Sequence, residues 1–216
     1  MKTGKLLAIP LALFVLLGNS PVFAEELKPV KLLAPQTNGG KPLMRALAER
    51  KSTREFSSEE LSLQTLSDLL WAANGINRPE SGYRTAPSAG NRQEIDIYVA
   101  RAEGLFLFSA SDNVLVPVLA GDIRPATGRQ SFVKDAPVDL VFVANLSKMK
   151  GTADEALFYA ATDTGYVSQN VYLYCASAGL ATVVLGWVDK EELAKAMRLR
   201  PDQRVILTQP VGYPKK

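Results

Sequence analysis

Between Thr152 and Gly179 the sequence carries the pattern of a single helix of unusual length. Thr152 with Glu155 three residues later is a capping box, and glycine at 179 suits a left-handed helix stop. At ~1.5 Å per residue such a helix reaches ~40 Å. Leu157, Phe158, Val167, Val171, Tyr172 and Cys175 fall on both of its faces, so it is expected to be covered on more than one side. Gly165 in its interior costs about 1 kcal/mol relative to alanine, which asks for a reason such as close backbone packing. Asp163, Ser168, Gln169 and Asn170 recur at roughly helical spacing, and their expected role is polar contact with packed neighbours.

The other segments alternate in type. Pro42 to Glu49 reads as a short helix, and Lys51 to Ser58 as extended or loop-like chain. Ser62 is an N-cap flanked by a Leu61 and Leu66 staple; it opens a helix whose stripe is Leu63, Leu66, Leu69, Leu70 and Ala73 and whose end is Asn74-Gly75. Residues 77–93 form a long loop, a length that is usually functional or disordered. Ile95, Ile97 and Val99 alternate with Glu94, Asp96 and Tyr98, the pattern of a strand with one buried face. Gly104–Ser109 and Val114–Leu119 read as a hairpin. Pro137 to Ala144 reads as a central strand and Ala181 to Leu185 as another core strand; Asp189 caps a helix to Met197, and Arg204 to Val211 is the last strand. Interleaved helices and strands together with a hairpin imply an α+β fold with a mixed central sheet flanked by helices. The length of 216 residues suits one domain, here 42–216, preceded by an irregular arm over 25–41 that orders only against another surface.

Several chemistries are excluded by composition. There is no histidine, which removes Ser-His-Asp hydrolysis, histidine acid-base catalysis and histidine metal sites. The lone Cys175 can build neither an internal disulfide nor a metal cluster, and its apolar context reads as inert core. An enzyme of this composition is expected to rely on a bound cofactor and no metal. Residues 1–24 have lysines at 2 and 5, an apolar run from Leu6 to Leu17 and small residues before a cleavage point after Ala24. That is a secretory leader, too short to span a bilayer, so the mature chain is expected outside the cytoplasm, in the periplasm where an outer membrane exists. Without it the charge balance is close to zero, and no field exists to attract nucleic acid.

Three further segments can carry chemistry. In extended chain Arg50, Ser52 and Arg54 share a face and could grip a phosphate, although from this segment alone a solvated basic turn is the favoured reading. Pro87-Ser88-Ala89-Gly90-Asn91-Arg92-Gln93 lets backbone approach a planar ligand, with Ser88, Asn91 and Gln93 as donors and acceptors for a ring system, and an ordinary tight turn fits it equally well. Val183-Val184-Leu185-Gly186-Trp187 is a strand that breaks at glycine, either to expose backbone N–H groups or simply to connect elements.

Taken in order, these pieces resemble the nitroreductase superfamily of flavin-dependent oxidoreductases over residues 43–214. The resemblance rests on Arg50-x-Ser52-x-Arg54-x-Phe56, the segment Leu66 to Asn77, Arg84-Thr85-x-Pro87-Ser88-Ala89-Gly90-Asn91 and Gln130-x-Phe132-Val133-x-x-Ala136-Pro137. It continues through Asp163-x-Gly165-x-x-Ser168-Gln169-Asn170, Gly179 to Thr182, and Val211-Gly212-Tyr213-Pro214. The Ala-Asn-Gly-Ile-Asn and Pro-Ser-Ala-Gly-Asn forms are most similar to the branch that includes peptide azoline dehydrogenases.

The resemblance implies a homodimer with two FMN sites at the subunit interface. Arg50, Ser52 and Arg54 would hold the phosphate and ribityl chain, joined there by Lys215 and Lys216. Pro87, Ser88, Ala89, Gly90 and Asn91 of the other subunit would line the isoalloxazine ring. Backbone N–H groups of Leu185 and Gly186 would face flavin N5, and Arg84 or Arg92 would supply positive charge at the pyrimidine edge. Flavin N5 would carry hydride and electrons in ping-pong turnover, with no catalytic side chain, from NAD(P)H or an extracytoplasmic donor to a nitroaromatic, quinone-like or other small-molecule acceptor. The alternatives are an exported dehydrogenase of an organic or peptide-derived substrate, and a flavin-binding protein without turnover.

Overall fold

The computed structural model describes residues 26–216; the leader expected over 1–24 lies outside the described residues. In chain order the elements are β1 (Val30–Lys31), α1 (Leu43–Glu49), α2 (Leu63–Asn74), β2 (Ile76–Arg78), β3 (Tyr83–Arg84), β4 (Ile95–Ala100), β5 (Gly104–Ser109) and β6 (Val114–Ala120). They are followed by β7 (Val138–Asn145), α3 (Ala153–Ala178), β8 (Ala181–Thr182), α4 (Lys190–Ala196) and β9 (Gln203–Gly212). Seven strands make the central sheet in the order β1-β6-β5-β4-β7-β9-β8, with β2 and β3 in a separate ribbon.

The class is the expected α+β, but every neighbouring pair in the central sheet is antiparallel. The expectation of mixed pairing is corrected by the last strand. β7, α3 and β8 form a crossover whose two strands run the same way, and β9 inserts between them, antiparallel to both. Interleaving read along the chain cannot reveal that insertion.

Both faces of the sheet are covered. On one side Ile95, Ile97, Val99, Leu140 and Phe142 pack with Leu66, Leu69 and Leu70 of α2 and Val167, Val171 and Cys175 of α3. On the other, Tyr98, Ala100, Val141 and Val143 pack with Leu193 and Met197 from α4 and its end. The expectation of one buried face on β4 is therefore corrected: Tyr98 is buried too, because α4 closes over it.

The helix ends follow their sequence signals. The Ser62 side chain accepts from Thr65 N–H at 3.0 Å, and Leu61 and Leu66 are both buried. Thr152 and Glu155 form the capping box, and Gly179 ends α3 at φ 73°. The strand expected over Ala181 to Leu185 is shorter. It pairs at Ala181 and Thr182, and Val184 N–H then leaves the ladder to donate to the Tyr172 hydroxyl at 2.9 Å before Leu185 rejoins opposite Thr208. The 77–93 segment is also more ordered than a plain loop, since it contains β2, β3 and a tight turn at Ala89–Asn91. The described part of the arm is strapped down: Leu32 is buried, Leu33 N–H donates to Ser67 Oγ and Lys41 N–H to Ser177 Oγ. Among the described residues no helix is long and apolar enough to cross a membrane.

Candidate functional site

The Arg50 to Arg54 segment leaves α1 as extended chain and is held on both sides. Thr53 N–H donates to Thr182 O at 2.9 Å, Lys215 N–H donates to Glu55 O at 3.3 Å, and Phe56 bridges to Pro214. Arg50 and Ser52 converge, as alternation predicts, on Tyr172 of α3. The Arg50 guanidinium lies 5.2 Å from the ring centroid, and Ser52 Oγ is 2.8 Å from the phenol oxygen. Arg54 is exposed. Among the described residues neither Arg50 nor Arg54 has a carboxylate partner, so two guanidiniums remain available to an anion.

Tyr172 ties this segment to the strand break. Its oxygen accepts from Val184 N–H, and one hydroxyl hydrogen is used in the Ser52 to Tyr172 bond. The pair holds two hydroxyl hydrogens, so one is left to donate to a ligand. The sequence offered Tyr172 only as an apolar helix residue. Its signal was the phenol itself, which needs a polar partner when it is buried.

At the strand break the expectation for two N–H donors is corrected to one. Leu185 N–H donates to Thr208 O at 2.8 Å, because Leu185 and Thr208 exchange both backbone bonds. Gly186 is exposed, and among the described residues its N–H has no acceptor. A Cβ there would lie 3.7 Å from Leu207, an ordinary contact, so the glycine's use is an uncovered backbone and not a tight fit. Lys215 and Lys216 lie at the exposed C-terminus. The bond from Lys215 N–H to Glu55 O sets the first of them beside the Arg54 segment.

The Pro87 to Asn91 turn lies elsewhere on the protomer. Ala89 N–H donates to Asp163 Oδ2 at 2.8 Å, whereas Ser52 meets Tyr172, nine residues and about 14 Å further along the same helix at its usual rise. Within one protomer the structure thus does not bring the turn and the basic segment together. The turn is strained in a way that suits its composition, with Gly90, Asn91 and Gln93 all at φ between 50° and 58°. It is braced by Ser88 Oγ, which accepts from Gln93 N–H, and by Arg84, which donates to Gln93 Oε1 at 2.8 Å and to Asn74 O at 3.0 Å. Arg84 is thereby a half-buried clamp. Burial is the main influence on it and lowers its pKa, opposed by Asp96. Arg92 is half-buried and donates to Lys148 O.

Sequence reasoning missed Glu94, which follows this turn and is fully buried. Its carboxyl is pushed up to about 7, first by burial and also by the neighbouring Asp163 carboxyl, while its own backbone amide and Lys148 pull the other way. Of the polar residues of α3, Asp163, Ser168 and Asn170 meet packed neighbours as expected, Ser168 Oγ donating to Gln209 Oε1 at 2.8 Å and Asn170 Nδ2 to Ala73 O at 3.4 Å, whereas Gln169 is exposed. Cys175 is buried, and burial raises its thiol far above the range where it would act as a nucleophile. No group of histidine, cysteine, aspartate or glutamate among the described residues could hold a metal ion.

α3 also carries an uncovered apolar face. Phe158 is 66% exposed, and Leu157, Tyr159 and Tyr166 are exposed beside it. Gly165 lies on this outer face, where a Cβ would meet nothing within 4 Å of the protomer. The close packing expected at Gly165 is therefore not made inside the protomer.

Comparison with known proteins places this geometry. The sequence model of the nitroreductase family matches residues 47–213. A Methanocaldococcus jannaschii protein with a provisional nitroreductase name is 32% identical over 177 residues, covering 77% of this chain and 88% of its own. A solved Ralstonia eutropha structure, also provisionally named a nitroreductase, is 43% identical and superposes with a TM-score of 0.85, covering 90% of this chain and 92% of its own. Two more distant likenesses show the fold alone. The Escherichia coli microcin synthetase McbBCD complex has a TM-score of 0.70 at 21% identity, over 99% of this chain and 85% of the other. A Desulfovibrio desulfuricans protein solved in complex with FMN has a TM-score of 0.61 at 22% identity, over 82% and 89%.

Proposed function

Because the chain belongs to the nitroreductase family and is thereby a flavin-dependent oxidoreductase, we propose that it binds FMN between two copies of itself and reduces a small acceptor such as a nitroaromatic or quinone. The observation that carries this reading is the Tyr172 network. Through one phenol it fixes Ser52, beside two guanidiniums with no carboxylate partner among the described residues, to the strand that ends at Gly186, whose N–H has no acceptor among them.

That donor set fits FMN. Arg50, Arg54 and the spare hydroxyl hydrogen of the Ser52 and Tyr172 pair suit a dianionic phosphate, with Lys215 and Lys216 able to add charge from the adjacent C-terminus. Gly186 supplies a backbone donor with no side chain in front of it. Bound FMN would supply hydride acceptance and delivery at N5, in alternating half-reactions with donor and acceptor. The protein's part is to grip the phosphate, present the Gly186 N–H where negative charge develops, and close the site with the 87–91 turn. Hydride transfer requires no histidine, consistent with a chain that has none.

The separation of turn and basic segment along α3, with exposed apolar side chains on the same helix, supports completion of each site by a second protomer. The leader over 1–24 supports export, and with it an electron donor other than cytoplasmic NAD(P)H. A visible spectrum of the purified protein tests the cofactor, and anaerobic photoreduction followed by addition of an acceptor tests turnover. Flavin bands and prompt reoxidation by a quinone are expected. Bound flavin that stays reduced points instead to a binding protein, and oxidation of an organic substrate to a dehydrogenase. A colourless protein that also takes up no added FMN removes the reading. Replacing both Arg50 and Arg54 with alanine is expected to weaken FMN binding by about 100-fold or more, measured by fluorescence titration.

A further inference from the structure

Glu94 stands at the entrance to β4 with both carboxyl oxygens buried, and among the described residues no donor satisfies either as a carboxylate. After burial itself, the group that most raises its pKa is a second buried carboxyl, that of Asp163 on α3. Two neighbouring buried carboxylates repel, whereas a carboxylic acid beside a carboxylate can donate to it, so one proton at Glu94 would both relieve the repulsion and give its orphaned oxygens a use. Asp163 is not idle: its Oδ2 accepts the Ala89 N–H at 2.8 Å and is a direct tether of the 87–91 turn to α3.

We propose that Glu94 and Asp163 share one proton, and that through it Glu94 acts as a positioning residue for the Pro87 to Asn91 turn. When the proton is present, the acid donates to Asp163, and Asp163 stays in place as acceptor for Ala89. When it is lost, two buried charges must separate, and the turn loses that tether. Three residues near this tether have positive φ, so the turn has little intrinsic preference to hold its shape alone. The cations nearby are committed elsewhere. Lys148 Nζ donates to Gln93 O at 2.9 Å and lies 3.5 Å from Asp96, Arg84 clamps Gln93 and Asn74, and Arg92 reaches Lys148 O. A chain without histidine thereby acquires a group that titrates near neutrality. Under the reading above, on which this part rests, the turn closes over the partner subunit's flavin, and the shared proton sets how firmly it does so.

The test uses flavin-free protein first. The urea midpoint and the amide-exchange protection of Ala89, corrected for the intrinsic rate, are followed from pH 5.5 to 8.5 in the wild type, Glu94→Gln and Asp163→Asn. The wild type is expected to lose midpoint and about tenfold of Ala89 protection as pH rises through neutrality. Glu94→Gln keeps a donor with no proton to lose, so its Ala89 protection should be flat and its midpoint should fall less than the wild type's, by the part that Glu94 contributes. Asp163→Asn offers an amide donor to Glu94, favours the ionised form and should move the loss to lower pH or abolish it. FMN titration then adds the functional arm: about tenfold weaker binding at pH 8 than at pH 6 in the wild type, and no such change in Glu94→Gln. A Glu94→Gln profile that follows the wild type overturns the proposal, as does a midpoint that shifts while Ala89 protection does not. A protein that binds no FMN at any pH but shows the expected exchange profile upholds the shared proton and rejects the flavin reading.

Discussion

At the scale of single residues, hydrogen counting identifies protons that sequence patterns cannot. Thr127 Oγ lies 2.8 Å from Arg124 O and 2.6 Å from Asp139 Oδ2, yet it has one hydrogen to give. The two contacts are compatible when fully buried Asp139 carries a proton and donates to Thr127, which in turn donates to Arg124 O. Burial is also the main reason its pKa stands well above the usual aspartate range, offset in part by Thr127 and Arg124. A folded pKa above the unfolded one means that this residue's contribution is fully present below the unfolded value near 4 and is lost as pH rises from there. Asp139→Asn, which keeps a donor and cannot ionise, should therefore unfold at a urea concentration at least equal to that of the wild type at pH 7, with a shallower decline between pH 4 and 7. Thr127→Val should cost about 1 to 2 kcal/mol in the same melts. None of Asp139, Glu94 or Tyr172 was legible as a special residue in the sequence. A strand carboxylate reads as solvent-facing and a helix tyrosine as core until the neighbours are known.

At the scale of elements the local signals were the readable ones. Ser62, Thr152 with Glu155, and Gly179 mark helix ends by chemistry confined to a few residues, and the structure uses each in that role. Thr152→Ala should lower stability by about 1 kcal/mol in urea unfolding. The strand at 181–185 was less readable, because its shortening depends on a tyrosine of α3 that competes for Val184 N–H. Tyr172→Phe tests that competition. It keeps the ring under Arg50 but releases both Ser52 and Val184, so FMN binding should weaken about tenfold while the protein stays folded by circular dichroism. Unchanged affinity in this variant would show that the phenol serves the helix and not the ligand.

At the scale of the whole molecule, the described residues leave large apolar side chains of α3 uncovered. Leu157, Phe158, Tyr159 and Tyr166 are large apolar side chains exposed on the longest helix, and apolar exposure of that kind marks an interaction site. Under the proposed function a second copy covers them, and Gly165 on the same face admits close approach of the partner. Phe158→Glu combined with Tyr166→Glu should give a monomer by light scattering and, with each site deprived of the opposite turn, loss of bound flavin. A dimer that survives this change would place the interface elsewhere.

The division between sequence and tertiary structure follows the range of the forces involved. Helix caps, the hairpin, the α+β class and the convergence of Arg50 with Ser52 depend on interactions within a few residues or on simple alternation, and the sequence alone determined them. Family membership was legible for a related reason, since the order of short motifs survives without any contact being known. Three other matters were settled only in the folded chain: the insertion of β9 between β7 and β8, the engagement of Leu185 N–H by Thr208, and the meeting of Glu94 with Asp163. Each joins segments more than 20 residues apart, and in each the outcome depends on which polar group finds a partner once water has been excluded.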